Sequence, residues 1–215
     1  MSVFKEKTLS KRDRILIAVA SMLLLTAFLF PLWQIRLQAP QYPEGLGMNI
    51  WVNTIRSLHP HNIKTINDLN HYVGMKPIKP SSIPELKFMP YLLIGLFLLG
   101  IITSISAKKT FLTAWVASFA GLAVAGLIDF YKWEYNYGHN LNPNAAIKIP
   151  GMSYQPPLLG SKQLLNINAT SIPYIGGIAV IIAFGIGMYV LVKEYRSGKE
   201  TQSQQKQTQP QVVAS

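Results

Sequence analysis

The chain has 215 residues, of which 49% are hydrophobic and only 13% are charged, about half the charged share of ordinary soluble domains. That balance argues against a single soluble domain, and the absence of cysteine excludes disulfides, thiolate metal sites and cysteine nucleophiles. The net charge of +11 does not imply a nucleic-acid surface, because eleven of the twenty Lys and Arg residues fall in three short segments beside apolar blocks.

In chain order, residues 1–14 form a basic start carrying Lys5, Lys7, Lys11, Arg12 and Arg14. An apolar block over 15–33 follows. It is too long for a signal-peptide core and no A-x-A-like cleavage site follows it, so an uncleaved signal anchor is expected. Residues 34–88 form a first long loop. Within it, Met48, Ile50 and Val52 alternate at strand period, and "TINDLNHY" reads as a short helical turn with Thr65 or Asn67 as caps. Pro77, Pro80, Pro84 and Pro90 then predict an extended return.

A second apolar block, 89–107, is joined by the turn 108–110 to a third, 111–133, so these two form an antiparallel helical hairpin. Tyr131, Trp133, Tyr135 and Tyr137 read as an aromatic belt at headgroup level. The second long loop, 134–170, is rich in Pro and Gly and is expected to follow an irregular path rather than strands. A fourth apolar block covers 171–192, and the Gln/Lys/Ser-rich tail at the end of 193–215 is expected to be disordered. Each block approaches or exceeds the roughly 18–20 residues that cross about 30 Å of hydrocarbon as a helix.

The predicted fold class is therefore a membrane all-α protein of four transmembrane helices with two long extracytoplasmic loops, the first a small mixed α/β subdomain. Basic residues flanking the blocks place both termini in the cytoplasm and the loops outside, as in a bacterial inner membrane.

All four histidines, His59, His61, His71 and His139, lie in the long loops, as do Met48, Met75 and Met152. Imidazole and thioether donors suit copper, and neither forms a disulfide in an oxidising compartment. His71 and Met75 share a face if their segment is helical. His139 and Met152, in the other loop, complete a candidate His/Met metal site if the two loops meet; the plainer reading is loop packing. His59 and His61 sit in a surface turn and are weaker candidates. Asp129, near the outer interface, is placed to pair with Lys132 one turn on, and Glu134 is expected to be exposed at the same interface. No G-x-S-x-G, H-E-x-x-H, P-loop or dinucleotide fingerprint occurs, so a non-enzyme is expected.

Three stretches, "PLWQIRLQAPQYPEGLGMNIWV", "INDLNHYVGM" and "WEYNYGHNLNPNAAIKIPGMSYQPPLLGSKQLLN", resemble a family of bacterial membrane proteins associated with nitrous-oxide-reductase accessory genes, some of them labelled copper chaperones. The resemblance implies a role in binding or delivering copper for maturation of a periplasmic copper enzyme. It puts His71, Met75, His139 and Met152 inside family motifs and leaves His59 and His61 outside them. Asn142 stands where an aspartate is expected, which removes a hard ligand. The implied partners are a periplasmic copper enzyme or copper chaperone and membrane lipid. The alternative function is a non-catalytic structural or anchor subunit of a larger membrane complex.

Overall fold

The computed structural model describes residues 8–208, with side chains described as far as Ser197. Ser10 opens the first helix, α1 (Lys11–Leu24), by accepting the Asp13 N–H at 3.2 Å. A one-turn helix, α2 (Thr26–Leu29), leads into strands β1 (Trp33–Ala39), β2 (Tyr42–Ile50) and β3 (Ile55–Ser57). Helix α3 (Asn62–Val73) and a 3-10 turn at Pro80–Ser82 precede the long helices α4 (Glu85–Ser106) and α5 (Lys109–His139). The hairpin β4 (Gly160–Leu164) and β5 (Ile167–Pro173) then delivers the chain to α6 (Ile175–Thr208). Residues 209–215 of the expected disordered tail lie outside the described residues.

The expected four-helix all-α architecture is corrected here. Among the described residues, the chain carries a five-stranded antiparallel sheet in the order β3-β2-β1-β5-β4, and three helices, not four, are long and apolar enough to cross a membrane: α4, α5 and α6 from Ile175 to Ser197. Those three are consistent with a multi-pass membrane protein. The first apolar block divides because α1 stops after 14 residues, beyond which the Thr26 hydroxyl donates to the Leu23 carbonyl at 2.7 Å. The block's last residue, Trp33, begins β1, the rest of which lies in the expected first loop and whose backbone is bonded on both sides, by β2 and by β5.

The second long loop also departs from expectation, since it supplies β4 and β5 instead of irregular chain alone. β1 is the central strand: Ile35 stands opposite Met48 of β2 and Ser171 of β5, and Leu37 opposite Leu46 and Ala169. Both loops therefore build one domain.

Below the sheet, the helices pack around Trp115, which is fully buried and donates its indole N–H to the Leu96 carbonyl at 3.0 Å. Ile17, Ala20 and Leu24 of α1 are also fully buried in this cluster, together with Leu112 and Val190. At the far end, Leu9 N–H donates to the Ala107 carbonyl at 2.7 Å and the Arg14 guanidinium to Ser104 O at 2.8 Å. Lys193 pairs with Asp13 at 2.7 Å and Lys109 with Glu194 at 2.7 Å. These contacts gather the three basic segments at one end of the bundle, opposite the sheet.

Candidate functional site

Helix α5 has 31 residues, about 46 Å at the α-helical rise, against about 30 Å of bilayer hydrocarbon. Its last third thus continues beyond the span and packs on the sheet. Phe130, Trp133 and Tyr137 join a core made by Ile35, Leu46, Met48, Ile55, Ile66 and Ile78. Phe130 meets Trp33 edge-on at 5.7 Å between ring centroids, and Trp133 lies 4.4 Å from Tyr137. Positions 130, 133, 134 and 137 share one helical face. Glu134 is carried into the domain by that spacing.

A cavity of about 350 Å³ lies between the sheet face (Ile35, Leu37, Met48), α3 (Ile66, Leu69) and the outer end of α5. Glu134 lines it with 0% exposure, and neither carboxyl oxygen has a hydrogen-bond partner. The Tyr154 hydroxyl, on the second loop, is also buried and unbonded. Among the described residues no Lys, Arg or His lines the cavity, and burial raises the Glu134 pKa to about 7. Glu134 is thus a buried group at the cavity, which corrects the expected interfacial exposure; the packing of the end of α5 on the sheet is the reason.

The second loop closes this site through two glycines. Tyr154 N–H donates to the Gly138 carbonyl at 3.1 Å, and a Cβ at Gly138 would sit 2.4 Å from the Gln155 backbone. At the end of α3, Gly74 adopts a φ of +81° that L side chains avoid, and its carbonyl accepts the Asn142 N–H at 2.8 Å. Ile147 N–H donates to the Tyr72 carbonyl at 2.9 Å. Gly138→Val is accordingly expected to push residues 140–159 off α5. Limited proteolysis should then cut that segment well before the wild-type chain is cut.

These bonds bring the two histidine- and methionine-bearing loops together through backbone groups. Their donor side chains have separate surroundings. Met75 lines the cavity, while His71 is exposed with its ring edge-on to Tyr72 at 6.2 Å. His139 is exposed, stacks on Tyr135 at 4.0 Å and places Nδ1 3.1 Å from the Tyr135 carbonyl. Met152 is half-buried, its N–H donating to Ile149 O at 3.1 Å. His59 and His61 are exposed, and His61 precedes α3 with a φ of +67°. Among the described residues, no group of three or more His, Asp or Glu is placed to hold a metal ion.

Asp129 is half-buried and Lys132 exposed, and they form no salt bridge with each other among the described residues. At the cavity, Glu134, Tyr154 and the Trp133 indole N–H, rather than the histidines, carry the unmet hydrogen-bonding capacity among the described residues. A helix-face reading across Phe130, Trp133, Glu134 and Tyr137 would have pointed to Glu134; no local signal points to Tyr154.

No protein-family profile matches this chain, nor does any curated protein. Fold and site together define a class: a membrane-compatible helical bundle carrying an antiparallel sheet domain, with an apolar cavity where the two meet. The arrangement can enclose an apolar body and offer it one carboxyl and one phenol.

Proposed function

We propose that this protein is a membrane-anchored binding protein that takes up an apolar or amphipathic molecule from the adjoining bilayer. The supporting observation is a largely apolar cavity lined by a carboxyl that neither solvent nor protein satisfies. Burying a polar group without a hydrogen bond costs free energy, and such groups are rare away from functional sites. The cavity's 350 Å³ lies in the range of small-molecule sites, which combine apolar walls with a few polar groups. Exposed Tyr72, Ile147 and Leu165 also line it and give it an apolar rim. Leu165 holds a φ of +56° at the β4–β5 turn, an unusual backbone for a bulky residue. With the basic end cytoplasmic, the sheet domain faces the periplasm of a bacterial inner membrane, and its role is binding rather than catalysis.

The test uses the full chain in nanodiscs with hexadecane bearing a diazirine. Irradiation is expected to label residues 35–48 and 133–137 in addition to the lipid-facing helices. Label confined to α4, α6 and the apolar part of α5 would overturn the proposal.

A second reading, copper handling for a periplasmic copper enzyme such as nitrous-oxide reductase, draws on the docking of the second loop over the His71–Met75 segment. For that reading, purified chain supplied with Cu(I) should retain more metal than a variant with His71, Met75, His139 and Met152 all replaced by alanine. Equal metal content in the two would end it.

A further inference from the structure

The polar groups of the cavity constrain what its ligand carries. Most of them are already engaged or reach solvent. Asn70 donates to the Lys76 carbonyl at 3.3 Å, and the Tyr137 hydroxyl to the Pro77 carbonyl at 3.3 Å. Asn166 donates to the Gln41 side chain at 3.3 Å. Tyr72 is exposed and Tyr42 half-buried. What remains is the Glu134 carboxyl, fully buried, the Tyr154 hydroxyl, on a residue 8% exposed, and the Trp133 indole N–H, all three buried without a hydrogen-bond partner among the described residues.

The titratable groups that line the cavity from the sheet, α3, α5 and the second loop are Tyr42, Tyr72, Tyr137, Tyr154 and Glu134 itself. None is a cation that would hold Glu134 ionised. In an apolar enclosure the neutral acid is favoured, and a neutral carboxyl is a hydrogen-bond donor. Tyr154 supplies a second O–H. With the Trp133 N–H these are three donors lining one largely apolar space, and they match an acceptor group with two lone pairs and no proton of its own.

We infer that the cavity selects a ligand whose polar end is a carbonyl (an ester, ketone or tertiary amide C=O on an apolar chain or ring), accepting hydrogen bonds from the Glu134 carboxyl and the Tyr154 hydroxyl. This inference rests on the reading of the cavity as a binding site. A pure hydrocarbon leaves these donors unmet. An alkylammonium requires ionised Glu134, the form that an apolar enclosure disfavours. Because only the acid form donates, retention of the carbonyl ligand is strongest below the Glu134 pKa of about 7 and weakens above it.

The experiment is competition against the diazirine-bearing hexadecane in nanodiscs, with methyl palmitate, hexadecane and hexadecylamine as competitors at pH 5.5 and pH 8.5. At the lower pH, methyl palmitate is expected to displace the probe at about one tenth of the hexadecane concentration, the size of one hydrogen bond to a buried donor. That advantage should shrink at pH 8.5 in the wild type. Glu134→Gln, which keeps an uncharged N–H donor, should preserve it at both values. Equal displacement by ester and alkane at pH 5.5, a pH-independent advantage in the wild type, or preference for the amine at pH 8.5 would each overturn the inference while leaving the binding cavity intact. Absence of cavity labelling by the probe would overturn the cavity reading itself.

Discussion

Trp115→Ala is expected to destabilise the folded chain by about 3–5 kcal/mol, the usual cost of deleting a large buried aromatic side chain. Trp115 is fully buried at the centre of the bundle, edge-on to Phe119 at 5.8 Å. Two glycines lie against its ring. A Cβ at Gly187 would come 2.7 Å from Cζ3, and one at Gly100 would come 2.8 Å from Nε1. Alanine would leave a void between α4, α5 and α6 that backbones this close cannot collapse into. Within a bilayer the loss is of packing rather than of transfer from water, because lipid tails are as apolar as the protein interior. Denaturant unfolding in detergent checks this. A variant within about 1 kcal/mol of wild type, the cost of a volume-conserving exchange, would show that the bundle does not depend on this contact.

Glu134→Leu should make the chain more stable at pH 8, by roughly 3 kcal/mol, the cost of ionising a group whose pKa is raised from 4.5 to about 7. Burial raises the Glu134 pKa from the ordinary 4.5 to about 7 in the folded chain. The folded state therefore holds its proton more tightly than the unfolded state. Stability is greatest below the unfolded pKa, declines as pH rises from 4.5 to about 7, and stays low above that. The leucine variant should lack this decline, and the difference between the two chains should narrow below about pH 4 to the cost of burying the unbonded neutral acid. Unfolding midpoints across that window decide it. Parallel pH profiles for the two chains would place Glu134 in contact with water.

The membrane-compatible helices were legible because hydropathy is a local property: α4, α5 and α6 overlap three of the four expected apolar blocks. The sheet was only partly so. Met48 and Ile50 do lie in β2, where alternation placed a strand. β1 takes only Trp33 from the apolar block and otherwise lies in the first loop, and its partner β5 begins 134 residues after it, at Ile167 against Trp33. Pairing at that separation leaves no periodicity for a local reading to find. β4 and β5 were missed for a related reason, since the Pro and Gly residues nearby read as irregular chain although the edge of β1 recruits this segment.

The site shows the same division. The loop containing His139 and Met152 was expected to fold over the His71–Met75 segment if a site formed there, and the two do meet, at Gly74 and Tyr72. The expected donor set did not identify the cavity, of which only Met75 is a lining residue among the four. Glu134 was assigned to the interface because the third span was ended at residue 133. Helix α5 continues six residues further, to His139, and turns that carboxyl into the domain.

The most direct measurement is intact-mass spectrometry of the full chain released gently from detergent, compared with a Leu69→Trp variant in which the added ring occupies the cavity. The account predicts one apolar molecule retained by the wild-type chain, and its loss from a Leu69→Trp chain that still unfolds at the wild-type midpoint. Identical bound lipid on both chains, or none on either, would contradict it.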